Sequence, residues 1–130
     1  MYGGSSVIRK AYLAVALCLA ALACQTVLAH HSFAVYDFEI QTEFTGTVET
    51  LNFRNPHIAL TLKVTDESGE SVIVDFIEGA PANMLARVGL TPDKIAVGTE
   101  ITVFGSPLIA DPSKFFIRRI ILADGTEFAV

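Results

Sequence analysis

Cysteine is scarce in this 130-residue chain and confined to one end: Cys18 and Cys24 both precede residue 30. A domain that begins after Ala29 has no disulfide to brace it and no thiol for nucleophilic or redox work. Cations are also few. Beyond residue 29, seven Lys and Arg stand against fourteen Asp and Glu, a net charge near −7. That balance opposes a nucleic-acid partner, whose backbone rewards clustered cations. There is no internal repeat and no low-complexity stretch, which excludes solenoids and arrays. Gly-x-Ser-x-Gly and phosphate-loop patterns are missing as well, so no enzyme signature of those kinds is present.

Long apolar runs are limited to one, Ala11 to Cys24, and at fourteen residues it falls short of the ~20 that a membrane-spanning helix needs. Arg9 and Lys10 precede it; polar Gln25 and Thr26 and then Val27-Leu28-Ala29 follow. This is the order of a charged region, an apolar region and a small-residue cleavage site. It predicts a helical, cleavable signal peptide over residues 1–29, cut between Ala29 and His30. One domain over residues 30–130 follows, periplasmic or secreted and without a transmembrane span. Ala21-Leu22-Ala23-Cys24 loosely resembles a lipoprotein box; lipidation at Cys24 would instead anchor the domain to a membrane.

In the remaining chain, period-two alternation dominates. Phe44, Gly46 and Val48 face one way, and the phase then shifts to Leu51 and Phe53, which predicts a bulge within one strand. Ile58, Leu60, Leu62 and Val64 give a half-buried second strand ending at Asp66-Glu67-Ser68-Gly69. Val72, Val74 and Phe76 resume the alternation in a third. Pro81 to Val88 has proline at a helix start, good helix formers after it and Gly89 as a stop, so one short helix is expected. Thr91-Pro92-Asp93 reads as a capped turn. Ile101 and Val103 lead into Gly105 as a fourth strand. Asp111-Pro112-Ser113 turns the chain into a fifth, Phe115 to Leu122, and Asp124-Gly125 signals a hairpin to Glu127–Val130. The fold class is therefore all-β: a small barrel of five to six strands with one short helix. It is like the oligonucleotide/oligosaccharide-binding (OB) barrel, whose first strand is long and bent. Another small meander or an open barrel shares the pattern.

Ala29-His30-His31-Ser32-Phe33 just after the leader, Phe44-Thr45-Gly46-Thr47-Val48 and Asn55-Pro56-His57 together resemble a family of uncharacterised secreted bacterial proteins, domain of unknown function family 6152. The similarity runs from His30 to about Phe128 and includes Asp124-Gly125. Phe53 stands where the family often carries tryptophan before Asn-Pro-His. The resemblance implies export and a small β-rich fold, not a known activity.

The chain's three histidines carry the sharpest functional expectation. Cleavage before His30 would free an α-amino group on a residue that also bears an imidazole, and the two nitrogens can chelate one metal ion. An α-amino group titrates near ~8 and an imidazole near ~6.5, so both become neutral donors cheaply near neutral pH. Nitrogen donors without thiolates favour Cu(II), with Ni(II) or Zn(II) behind it. If cleavage falls before Ala29, His31 becomes the third residue of Ala-His-His, a register that also suits Cu(II) or Ni(II). Adjacent residues of an extended chain point to opposite sides, so His57 is the more natural second partner for His30 than His31 is. The plainer reading has His30 and His31 as a polar terminus and His57 as a strand-entry residue behind the Asn55-Pro56 turn.

Asp37, Glu39, Asp75 and Glu78 read equally well as solvated strand-face charges or as catalytic groups. Glu78 could line a pocket with Asn83 and Arg87 near the helix start. Phe33, Tyr36 and Phe38 are expected to cover the barrel. The leading expectation is thus an exported metal-binding module, copper favoured, with His30, His31 and His57 as ligands. The rival is a non-catalytic protein- or ligand-binding or assembly module of the cell envelope. Catalysis on a small barrel would need a concave pocket with converging carboxylates.

Overall fold

The first described strand, β1 (Thr42–Asn52), is long because it serves two partners. Thr42 to Thr47 pair with β4 (Glu100–Pro107), and Thr47 to Asn52 pair with β2 (Ala59–Thr65), both antiparallel. The computed structural model describes residues 33–130, of which residues 35–130 form one unit. The expected leader, the lipidation site and His30 and His31 lie outside the described residues. The bulge predicted from the phase change is present: Val48 faces Leu62 and Thr50 faces Thr61, which leaves Glu49 as the extra residue. Such an insertion bends a strand and raises its twist, and that bend lets β1 cross from one side of the barrel to the other.

Two further strands close the ring. β2 pairs antiparallel with β3 (Ser71–Glu78), and β4 pairs antiparallel with β5 (Lys114–Leu122). β3 then meets β5 in parallel, through Asp75, Phe76 and Glu78 against Lys114, Phe115 and Phe116. The circuit β1-β2-β3-β5-β4 is a closed five-stranded barrel with OB-type connectivity. β6 (Glu127–Ala129) adds a short hairpin arm to β5. α1 (Ala82–Arg87) starts after Pro81 and ends before Gly89, at φ +91°, as the proline and glycine positions predict. Ala82 and Leu85 of α1, with Leu90 and Ile95 of the turn that follows, are buried in the same core as Leu60, Leu62, Ile101, Val103, Ile117 and Ile120. Among the described residues no helix is long and apolar enough to cross a membrane.

Two details depart from the alternation pattern. Val72 was expected to point inward with Val74 and Phe76, yet it is 52% exposed, and its neighbour Ile73 is 60% exposed. The β2–β3 hairpin extends beyond the part of β3 that β5 covers, so there is no core for Val72 to face. The second departure lies before β1. Val35 to Asp37 run alongside the end of β4, with a bridge between Tyr36 and Leu108, an Asp37 N–H donating to the Pro107 carbonyl (2.9 Å) and an Ile109 N–H donating to the Val35 carbonyl (2.8 Å). This strap carries Tyr36 onto the barrel.

The loops share one device with a consequence for pH. Asp66 Oδ1 accepts from the Ser68 hydroxyl at 2.6 Å and from the Ser68 and Glu70 N–H groups, and Asp111 Oδ1 accepts from the Ser113 hydroxyl at 2.6 Å and the Ser113 N–H. The serine hydroxyl is the main cause that holds each carboxyl below its ordinary range; Asp93 is lowered in the same way by the Thr91 hydroxyl, and Asp124 by the Thr126 N–H first and its hydroxyl second. A folded-state pKa below the unfolded value contributes stability that is present above the unfolded pKa, about 3.9, and is lost as pH falls through the folded one. Thermal melts should therefore show a midpoint that declines as pH drops from about 5 toward 2. In Asp66→Asn/Asp111→Asn, whose amide oxygens accept the same bonds without titrating, the decline should be shallower. An equal decline in both proteins would show that these turns are not the cause.

Candidate functional site

His57 lies in the β1–β2 connection, two residues ahead of β2, and both its neighbours and its ring are tied down. Ile58, fully buried, donates its N–H to the Ala80 carbonyl (3.1 Å), and Asn55 Oδ1 accepts the Asn83 N–H (3.2 Å) at the start of α1. The connection is thereby stitched to the β3–α1 corner. The ring Nδ1 sits 2.9 Å from the Gly79 carbonyl oxygen, which can only accept, so Nδ1 is the donor in this contact. Nε2 is turned the other way, 3.5 Å from Glu78 Oε1, and the side chain is 42% exposed.

Glu78 ends β3, in phase with inward-facing Val74 and Phe76, and reaches the barrel rim with its side chain only 19% exposed. A bulge between Phe76 and Glu78 in the β3–β5 pairing marks the place where the strand leaves its partner. Its second oxygen, Oε2, accepts the Tyr36 hydroxyl at 2.9 Å. Tyr36 is 5% exposed and packs its ring against Phe38 and Phe116, at centroid distances of 6.0 and 5.3 Å. Burial first, and then the bond to and charge of Glu78, push the Tyr36 phenol well above its ordinary range. It is therefore a neutral donor throughout the physiological range.

The rim thus presents one chain of contacts: Tyr36 to Glu78, Glu78 to His57, His57 to the Gly79 carbonyl. Residue separations of 42 and 22 span it, and none of its members is adjacent in sequence to more than one other. Of the histidines proposed from sequence, His57 alone is among the described residues, at the entry to β2 with its ring against the Gly79 carbonyl. Glu78 departs from its expected environment: its bonded partners are Tyr36 and His57, not Asn83 and Arg87. Its phase in β3 was the available signal, since a carboxylate two residues beyond Phe76 on the inward face has to find partners at the rim. Tyr36 and Phe38 cover the barrel as anticipated, with Phe38 and Phe116 edge-to-face at 5.5 Å.

Among the described residues no three His, Cys, Asp or Glu side chains converge as a metal cage; His57 and Glu78 make a pair. A separate groove of about 40 Å³ on the barrel wall is lined by Thr45, Glu100, Thr102 and Ile121 among others, with Glu100 its one carboxylate. None of the three rim residues lines it.

Comparison with curated proteins and with solved structures returns no match. A family model described as a family of unknown function, DUF6152, matches residues 16–112. The match takes in the histidines and the chain from β1 through β4, and it stops before β5, so Asp124-Gly125 lies outside it. With most of its length so matched, the chain belongs to the family of unknown function DUF6152.

Proposed function

We propose that this protein is an exported small β-barrel module that binds a transition metal ion, copper(II) first among them. Its ligands are the amine and imidazole of His30 after signal removal, together with His57 and, in the alternative cleavage register, His31. The observation that carries the reading is the orientation of the His57 ring: Nδ1 is committed to the Gly79 carbonyl, and Nε2, on a half-exposed side chain, faces Glu78 Oε1 at 3.5 Å. Metal-binding histidines are oriented in this way, with one nitrogen donating its N–H to a carbonyl and the other presented to the ion. Tyr36, bonded to the Glu78 that faces His57, lies six residues after His30 in the chain.

The test is a Cu(II) titration of protein purified after its own processing, followed by calorimetry. Sub-micromolar binding is expected, weakened at least ~10-fold by His57→Ala, the scale on which a metal site responds to disruption of its shell. A single residue added ahead of His30 should weaken it as well, because the amine is displaced. Tight binding that survives the extension would sink the chelate. If copper does not bind at all, the exposed Val72 and Ile73 at the uncovered end of β3 become the leading feature, and they point to a non-catalytic assembly module.

A further inference from the structure

Resting on the metal-binding reading, a sharper statement about the same site is possible. Both nitrogens of the His57 ring face acceptors: the Gly79 carbonyl at 2.9 Å from Nδ1 and Glu78 Oε1 at 3.5 Å from Nε2. A neutral imidazole has one N–H, and the shorter contact takes it. Nε2 and Oε1 therefore face each other across a gap that a cation, either a proton or a metal ion, can bridge. Glu78 is not free to turn away, because the Tyr36 hydroxyl holds Oε2 at 2.9 Å and the Tyr36 ring is itself packed against Phe38 and Phe116.

The spacing suits a metal ion. Ligands at about 2.1 Å from a common ion stand about 3.4 Å apart across a tetrahedral edge and about 3.0 Å apart across a square-planar one. The observed 3.5 Å meets the first without rearrangement. The second requires the half-exposed imidazole to swing inward by about half an ångström. We infer that Glu78 binds the same ion as His57, that Tyr36 is the residue positioning it, and that the resulting nitrogen–oxygen donor set selects divalent copper over cuprous copper. A carboxylate is a hard anionic donor that favours the doubly charged ion, whereas cuprous copper prefers thiolates and thioethers. Beyond residue 29 the chain has no cysteine.

The experiment compares wild type, Glu78→Gln, Tyr36→Phe and His57→Ala, each purified after its own processing. Each is titrated with Cu(II) and, without air, with Cu(I) against a competing chelator. Expected are a loss of Cu(II) affinity of at least ~10-fold in Glu78→Gln and about 10-fold in Tyr36→Phe, with Cu(I) affinity unchanged in both. At saturating Cu(II), the electron paramagnetic resonance spectrum of Tyr36→Phe should also shift from wild type, which a purely structural tyrosine would not cause. Wild-type protein labelled with carboxyl-¹³C glutamate gives a readout that needs no variant to fold: a ¹³C hyperfine coupling to bound copper supports the inference. Wild-type binding that is unaltered in Glu78→Gln, without that coupling, overturns the carboxylate ligand and leaves the histidine reading standing; only a proton then bridges the pair. Binding that is also unaltered in His57→Ala, or no binding by wild type, overturns both.

Discussion

Replacing Phe76 by alanine should cost the barrel about 3–5 kcal/mol, the range measured when a buried phenylalanine is truncated. Phe76 is fully buried in the middle of β3, facing Leu60 of β2 on one side and Phe115 of β5 on the other. Its ring stands edge-on to Phe44 at 5.8 Å and tilted against Phe115 at 5.7 Å, while Phe44 and Phe115 meet at 4.8 Å. The three rings come from β1, β3 and β5, so the side chain joins strands that are not neighbours in sequence. Gly105 leaves the space they occupy: a Cβ there would lie 2.9 Å from Phe76 and 2.9 Å from Phe115. Truncation removes the transfer free energy of the ring and leaves a void that strands held in two ladders cannot collapse to fill. Since domains of this size are stable by only about 5–15 kcal/mol, the loss is a large share. The melting midpoint should fall by on the order of 15–30 °C. Urea unfolding with an unchanged slope and a lowered midpoint is the matching equilibrium result. A loss below about 1 kcal/mol would mean that the aromatic trio does not hold the barrel shut.

Gly46→Ala should be nearly as damaging, for a different reason. Gly46 has no unusual backbone angle that demands glycine; what it lacks is room. A Cβ at this position would fall on the carbonyl oxygen of Lys63, with the carbonyl carbon at 3.0 Å and a Val64 methyl at 3.1 Å. The obstacle is the backbone of β2 itself. Lys63 is paired with Ile73 on its other side, so it cannot step back without opening the β2–β3 ladder. The alternative is for β1 to lift away, which breaks the pairing of Thr47 with Lys63 and Val48 with Leu62 just before the bulge. Overpacking of this kind costs about 3 kcal/mol at the upper end of the usual range. Gly69→Ala is the control. That residue has φ +86° in the β2–β3 turn and nothing within 4 Å of a new Cβ, so only the left-handed conformation is penalised, by about 1–2 kcal/mol. Chemical denaturation of the two variants side by side should rank Gly46→Ala as the worse, and the reverse order would show that β1 and β2 do not approach so closely.

Both predictions bear on what could be read in advance. The phase change between Val48 and Leu51 announced the bulge, because a strand has a strict period of two and any slip must be absorbed by an extra residue. Asp66 to Gly69, Asp124-Gly125 and the Pro81–Gly89 segment announced their turns and helix through local backbone chemistry. The close approach at Gly46 left no such mark, since its cause is an oxygen 17 positions further along the chain. Val72 shows the opposite failure: alternation says which face a residue takes, and it cannot say whether anything covers that face. Of the candidate site, His57 was legible as a histidine placed by an Asn-Pro turn. Its partners were not, because Tyr36 and Glu78 meet across 42 residues.

The amino-acid sequence alone determined the features whose causes are local. These are the charge balance, the cysteine-free region after residue 29, the strand and helix periods, and the turns where glycine, proline and aspartate impose backbone angles. Only the tertiary structure decided which strands close the ring, that β3 and β5 run parallel where they meet, and that Tyr36, Glu78 and His57 share one rim. The physical reason is range. Propensity and capping act over a few residues, whereas barrel closure depends on accumulated twist and on burial against segments far away in the chain. The orientation of the His57 ring follows from that closure, because the Gly79 carbonyl and the Glu78 carboxylate that it faces arrive with β3.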